Sequence, residues 1–253
     1  MIIVTGIKIK TKKKMFNLFE TLISAKHDFK DGDILVLSSK FVSMSEGSVV
    51  DLRKIRPSSK AKNLAKNYQM NPSFVEVVIR ESDVIFGGLP GFLLTIKNGI
   101  LAPNAGIDKS NIPSDYVICL PMHPFISAEN LRMEFLIRSG IKVGIVISDS
   151  RLMPTRIGTT GVAIGCSGIE PVEDQRGKKD LFGHIMKFTL KATADALATI
   201  GTFVMGESNE AVPLVVIRGS NISFTDRKLC WKDFAIDYQT DLYFRGIQNF
   251  AIK

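Results

Sequence analysis

The sequence predicts an α+β fold, mixed sheets with flanking helices, with a mixed α/β arrangement as the neighbouring class. Apolar runs of strand character are interleaved with segments of helical spacing, but without the strict strand–helix–strand rhythm of a doubly wound chain. The 253 residues are 45% hydrophobic and 23% charged, an ordinary globular composition that can bury a sizeable core. No internal repeat, low-complexity tract or convincing linker interrupts the chain. Residues 1–253 therefore read as one unit, with a weak candidate boundary near 83–92 that would divide it into two lobes.

The elements follow in order. "MIIVTGIKI" reads as a first strand, and Met15, Leu18, Phe19, Leu22 and Ile23 fall at helical spacing to give an amphipathic helix. "DGDILVLSSKFVS" is a turn leading into a buried strand with a polar break at Ser38–Lys40. Helices are expected over 58–69, opening at Ser58 or Ser59, and over 73–82. "SDVIFGG" and "GFLLTIKNGILAP" give strands with glycine turns between them, and "YVICLPM" gives another. Ser127 is placed to N-cap a helix that Gly140 stops. "KVGIVISDS" is the clearest buried strand, an apolar run terminating at Asp149. Leu181, Ile185, Phe188, Ala192 and Ala196 step along one face of a long helix reaching residue 204. "VPLVVIRG" is the final strand, followed by a mixed tail with the single tryptophan, Trp231.

A net charge of +8 admits a solvated basic face first, an anionic ligand such as a nucleotide second, and nucleic acid third. The dense basic run Lys10, Lys12, Lys13 and Lys14 lacks interleaved aromatic residues. No helix-turn-helix, zinc-finger or RNP pattern accompanies it, so no nucleic-acid partner is expected. No apolar run approaches the roughly 18 residues of a membrane span. The N-terminal charge follows the apolar stretch, the reverse of a secretory signal. Cys119, Cys166 and Cys230 have neither disulfide nor zinc spacing. A reduced, cytoplasmic protein with no membrane partner is expected.

Chemistry concentrates in three places. "GILAPNAGIDKSN", residues 99–111, gathers Asn104, Asp108, Ser110 and Asn111 in one turn, residue types that ordinary surface loops also select. Asp149, with Ser150 beside it, closes a buried strand, where a rigid element can aim a group into solvent. "MGESNE" places Glu207 and Glu210 after Gly206, a natural helix stop. Asp108, Asp149 and Glu207 could supply hard oxygen ligands to Mg²⁺ or Mn²⁺, although spacing alone does not bring them together. "RIGTTGVAIGCSG" is glycine-rich but matches no phosphate-loop signature, and tight strand packing explains it equally well. No G-x-S-x-G elbow is present, and His27, His123 and His184 have no catalytic spacing.

"GDILVLSSKFVSMSEGSVVDL", "APNAGIDKSN", "VISDS" with "GTTGVAIGCSGIEPVEDQRGKKDLFG", "ATADALA", and "MGES" with "PLVVIRG" occur in the order and spacing of the coenzyme F420-0:γ-glutamyl ligase family. The chain resembles that family over residues 1–219. The resemblance implies the family's own α+β γ-glutamyl ligase fold in an intertwined homodimer, with the active site near the subunit interface. It implies a ligase that adds L-glutamate to coenzyme F420-0, a deazaflavin carrying a phospholactyl group. GTP would be the co-substrate, with two divalent ions, Mg²⁺ or Mn²⁺, and K⁺ as a further ion. In the implied mechanism the acceptor carboxylate attacks the γ-phosphate of GTP, and the glutamate amine then displaces phosphate from the acyl phosphate. Such chemistry needs positioning and charge neutralisation rather than a nucleophilic side chain.

Carried over position by position, Asp108 and Asp149 match carboxylates that hold one metal and form the catalytic pair. Ser150 and Glu207 match ligands of the second metal. Asn111 matches a GTP contact, as do Gly6, Ile7, Lys8, Ile9, Ser39 and Lys40. The stretch Met205, Gly206, Glu207, Ser208, Asn209, Glu210, Ala211 and Val212 matches a further GTP-facing segment. Two departures stand out. Met44 occupies a GTP-facing position where the family commonly has lysine. "RLMPTR", residues 151–156, replaces a frequent F-G-R-P-W-R, keeping Pro154 and Arg156 but losing the tryptophan. These departures leave open a paralogous ligase that joins another carboxylate to an amine. The charge alone leaves open a non-catalytic basic nucleotide-binding protein.

Overall fold

A computed structural model describes residues 1–10 and 15–248. Its centre is a five-stranded sheet in the order β1 (Ile3–Ile7), β12 (Leu214–Arg218), β2 (Ile34–Ser38), β8 (Gly144–Leu152), β9 (Thr159–Ser167). β2 and β8 run parallel, from Ile34 opposite Gly144 to Ser38 opposite Ser148. The other neighbours are antiparallel. Side chains alternate across the sheet with a period of two. Ile34, Val36, Val146, Val215 and Ile217 form one core with α6 (Thr193–Met205). Leu35, Leu37, Ile145, Ile147, Leu214 and Val216 form another with α1 (Leu18–Ile23) and α5 (Pro124–Ser139). Burial on both faces is why these strands read as continuous apolar runs. At the start of β2 the fully buried Asp33 carboxylate accepts two Arg218 donors at 2.6 and 2.7 Å and the Lys30 N–H at 2.8 Å.

The connection from β2 to β8 carries most of a second lobe. It contains α2 (Ser39–Glu46), β3 (Val49–Asp51), α3 (Ser59–Asn67), α4 (Pro72–Glu81), the antiparallel β4 (Val84–Leu89), β5 (Phe92–Lys97) and β6 (Ile100–Pro103), and β7 (Tyr116–Ile118) paired with β3. Phe74, Val75, Val78, Leu93 and Val117 help form a core of its own. Residues 83–92 lie at and within the β4–β5 hairpin. After β12 the tail returns over the molecule. Thr225 donates its N–H to the Gly168 carbonyl at 3.1 Å. Trp231 and Phe234 pack on Phe125, and Tyr238 packs on Phe86, as does Phe244 of α7 (Leu242–Gln248).

The mixed α+β class holds, and several elements are redrawn. Ser38–Lys40 is no break: Ser38 is the N-cap of α2, which begins at Ser39. α1 begins at Leu18 because the Asn17 side chain accepts the Glu20 N–H at 2.8 Å, so Met15 lies outside it. Ser127 does not cap α5. That helix starts at Pro124, a residue preorganised for a first helical position, with His123 as N-cap. Gly140 ends it in the left-handed conformation, as expected. β8 runs past Asp149 to Leu152 because β9 keeps pairing with it as far as Thr159.

The long helix starts only at Thr193. Residues 180–184 instead turn about Asp180, whose carboxylate accepts the N–H groups of Phe182 and His184. Leu181 and Phe188 are exposed. Residues Leu190–Ala192 form β11, paired with β10 (Val172–Asp174). The glycines of "RIGTTGVAIGCSG" include packing positions: a Cβ on Gly161 would lie 2.3 Å from the Ala198 carbonyl oxygen of α6. No described helix is long and apolar enough to cross a membrane. Lys12, Lys13 and Lys14 of the basic run, and residues 249–253, lie outside the described residues.

Candidate active site

Four segments distant in sequence converge on one cleft of about 240 Å³: the β2–α2 junction, the loop after β6, the second half of β8, and the loop from α6 to β12. The parallel pairing explains the first meeting: Ser38, the last residue of β2, sits opposite Ser148, so the start of α2 lies beside the second half of β8. A larger cavity of about 750 Å³ lies between the inserted lobe, the start of α5 and the tail, but no site residue expected from sequence lines it.

Asp149 sits on β8 opposite Val162. Its Oδ1 accepts the Ser39 hydroxyl at 2.8 Å and its Oδ2 accepts Arg151 Nε at 3.3 Å. Arg151 is two residues on, on the same strand face, with a side chain only 4% exposed. Its Nη1 donates to the Leu101 carbonyl on β6 at 3.0 Å, while its Nη2 is buried with no partner among the described residues. Burial pushes the Asp149 carboxyl above the ordinary carboxylate range. Arg151 and Ser39 pull it back, and the charge of Asp108 adds to the rise. Burial also lowers the Arg151 guanidinium, against the attraction of Asp149.

Asp108 follows β6, with its backbone bridged to Ile118. Its Oδ1 accepts the Ser110 N–H at 2.6 Å, an Asx turn that fixes the loop. Its Oδ2 faces Lys40 Nζ at 2.5 Å, and the same ammonium donates to the Ser110 hydroxyl at 2.6 Å. Asn111, in the left-handed region that asparagine tolerates, donates from its side chain to the Ser208 carbonyl at 2.9 Å. That bond ties the 108–111 loop to the 205–212 loop. Glu207 accepts the Ser150 hydroxyl at 2.6 Å and the Thr159 hydroxyl at 3.0 Å on one oxygen. On the opposite strand face from Asp149, Ser148 shares a 2.7 Å hydrogen bond with Thr202 of α6.

Of the residues expected from sequence, Ser39, Lys40, Met44, Asp108, Asn111, Asp149, Ser150, Met205, Gly206, Glu207, Ser208, Glu210, Ala211 and Val212 line the cleft, and Ile9 reaches it with its N–H bonded to the Ala211 carbonyl at 3.0 Å. Gly6, Ile7, Lys8 and Asn209 do not line it. Gly6 is instead a packing position on β1, where a Cβ would sit 3.0 Å from Val204 and Val212 side chains. Asn104 is structural: largely buried, it accepts the Leu93 N–H at 2.8 Å. Sequence reasoning missed Ser38, Phe41, Ser148 and Thr202 as cleft walls, and it missed Arg151 as the partner of Asp149. The i, i+2 spacing of Asp149 and Arg151, which puts opposite charges on one face of a strand, was the available signal for Arg151.

The donors facing the cleft are carboxylates and hydroxyls, the hard oxygen set suited to Mg²⁺ or Mn²⁺. Among the described residues no three His, Cys, Asp or Glu side chains group closely enough to enclose an ion alone. Mg²⁺ tolerates that arrangement, since it keeps waters and takes phosphate oxygens.

A family model described as F420-0:Gamma-glutamyl ligase matches residues 6–219. The chain is 42% identical over 216 residues to the coenzyme F420:L-glutamate ligase of Methanocaldococcus jannaschii, covering 85% of this chain and 86% of that protein. It is 40% identical over 199 residues to the protein of the same name from Methanopyrus kandleri, covering 78% and 79%. Against that of Methanococcus maripaludis strain S2 it is 38% identical over 232 residues, covering 87% and 93%.

Proposed function

The chain belongs to the F420-0:γ-glutamyl ligase family, and from that premise we propose that it is a GTP- and divalent-metal-dependent ligase that adds L-glutamate to coenzyme F420-0 in coenzyme F420 biosynthesis. One observation carries this reading: Asp108, Ser150 and Glu207, from separate segments, face the same cleft as Lys40, beside the buried Asp149–Arg151 pair.

In this reading Asp108 and Asp149 would hold one divalent ion and Ser150 and Glu207 a second, supplying the positive charge that phosphoryl transfer needs. Lys40 adds a point charge for phosphate oxygens. Ser39 and Arg151 hold the Asp149 carboxylate in one orientation, and the Asn111–Ser208 bond keeps the two loops that would flank the nucleotide together. The acceptor carboxylate attacks the γ-phosphate, releasing GDP and forming an acyl phosphate. The amine of glutamate then displaces phosphate and forms an amide with the acceptor's carbonyl; a second round, on the γ-carboxylate of the added glutamate, would make the γ-linked diglutamate tail. No side chain need act as nucleophile; the protein's part is alignment and charge neutralisation.

Incubation with F420-0, L-glutamate, GTP and Mn²⁺, read by mass spectrometry, is expected to show a product one glutamyl residue heavier together with GDP. Met44 is an uncharged wall of this cleft, which favours, as a second reading, a paralogous ligase with another acceptor. GTP consumption with no glutamylated F420-0 would select that reading, and no nucleotide binding at all would remove both.

A further inference from the structure

The two central carboxylates of the cleft are each already paired with a protein cation, and the two cations differ in their freedom. Arg151 is anchored: its fork spans Asp149 and the Leu101 carbonyl, and its side chain is only 4% exposed. Lys40 is not. Its side chain is 24% exposed and lines the cleft, and its partners, Asp108 and Ser110, both belong to the 108–111 loop. A lysine stem has four rotatable carbons and a rotating set of donors, so an ammonium can change partners within one cleft. At 2.5 Å from Asp108 Oδ2, the ammonium occupies the space in which another cation would meet that oxygen.

Resting on the reading of Asp108 as a cation ligand, we propose that Lys40 competes with the divalent ion for Asp108 and yields it when nucleotide phosphate offers the ammonium another acceptor. Asp149 cannot be released in this way, because Arg151 is locked by its own second bond to β6. Asp108 is therefore the switchable half of the pair. Ion and nucleotide then favour each other: the ion displaces Lys40 toward phosphate, and phosphate draws Lys40 away from the ion's ligand. By linkage each tightens the other by the same factor. A site neutralised by its own lysine holds a lone ion weakly and assembles fully only around nucleotide.

The test separates the two ligands, because competition moves them in opposite directions. Mn²⁺ binding without nucleotide, and GTP binding without divalent ion, are each measured by calorimetry on the full chain, for wild type, Lys40→Met and Lys40→Gln. Both substitutions are expected to tighten Mn²⁺ by about tenfold, the scale of removing one charge from contact with a ligand, and to weaken GTP. Loss of packing or fold would instead weaken both ligands. Unchanged or weaker Mn²⁺ binding in the two variants overturns the competition. Asp108→Asn distinguishes this from failure of the site reading: if it binds Mn²⁺ as wild type does, Asp108 is not an ion ligand and the underlying assignment falls with the proposal.

Discussion

Asp149 has two partners to satisfy, and one substitution cannot separate them. The sequence suggests that Asp149→Asn is isosteric and harmless to folding. The structure adds the buried Arg151, whose charge that change leaves uncompensated. Removing one member of a buried pair costs on the order of 3–5 kcal/mol, and asparagine's retained carbonyl places it at the low end. Asp149→Asn should therefore lower the melting temperature as well as reduce turnover by about two orders of magnitude or more. Glu207→Gln is the cleaner probe. Its amide oxygen can still accept from Ser150 and Thr159, so calorimetric melting should shift by less than about 1 kcal/mol while turnover collapses. Equal stability losses in the two variants would show that Arg151 does not depend on Asp149. Met44→Lys carries the opposite expectation. Because Met44 lines the cleft, an ammonium there should tighten GTP by about 1 kcal/mol, as a screened contact does. Weaker binding by calorimetry would mark position 44 as a packing site.

Among the elements, α3 and α4 are joined by one carboxylate. Glu76 of α4 accepts the backbone N–H of Ser58, the N-cap of α3, at 2.9 Å and Arg80 Nε at 3.0 Å. The Ser58 hydrogen bonds, more than Arg80, hold its pKa near 2 rather than 4.5, against the opposing effect of burial. A depressed folded-state pKa stabilises the fold fully above about pH 4.5, and that stabilisation is lost as pH falls toward 2. Glu76→Gln should thus melt below wild type at pH 7, with the gap closing between pH 4.5 and 2; a gap constant with pH would remove the ionised form from the interaction. α6 lies so close to the sheet that a Cβ on Gly201 would sit 2.4 Å from Val36 Cγ1. Gly201→Ala should cost about 1–3 kcal/mol by overpacking, less any gain in helix propensity, read from urea unfolding.

The sequence signalled these helices unevenly. α3, α4 and the end of α5 were legible because caps, proline and glycine mark them. α2 was hidden because its first turn, Ser39–Lys40, looks like a loop and is held by contacts to Asp149 and Asp108 across the cleft. The start of α6 was overdrawn because Leu181, Ile185 and Phe188 mimic helical spacing in a segment whose turns are set by Asp180. Apolar strands and single acidic residues were readable locally; which of them meet was decided by pairing between β2 and β8, which no local pattern contains.

For the whole molecule, the site lies on the seam between two bodies of core: Asp108 sits on the inserted lobe, and Asp149 on the central sheet. The tail crosses the same molecule and leaves a built-in reporter, since Trp231, the single tryptophan, packs on Phe125 and Phe234. A segment with few buried contacts opens at lower free energy than a core strand. Tryptophan emission should therefore change at lower urea than far-UV circular dichroism; superimposed transitions would make the tail part of the global unit.

The strand order β1–β12–β2 also has a meaning in time. β1 and β2 are made first yet never touch as neighbours; the strand between them is the last of the sheet to be synthesised. β2 meets its other partner, β8, only after the whole inserted lobe has been completed. Long-range pairing of this kind is slow and leaves edges exposed while it waits. The lobe, with local hairpins and its own core, can condense during translation, whereas the sheet that carries Asp149 is zipped shut by a late strand. A nascent chain halted before residue 214 should protect the lobe from protease and leave β1 and β2 digestible, so competence for catalysis would arrive all at once, near the end of synthesis.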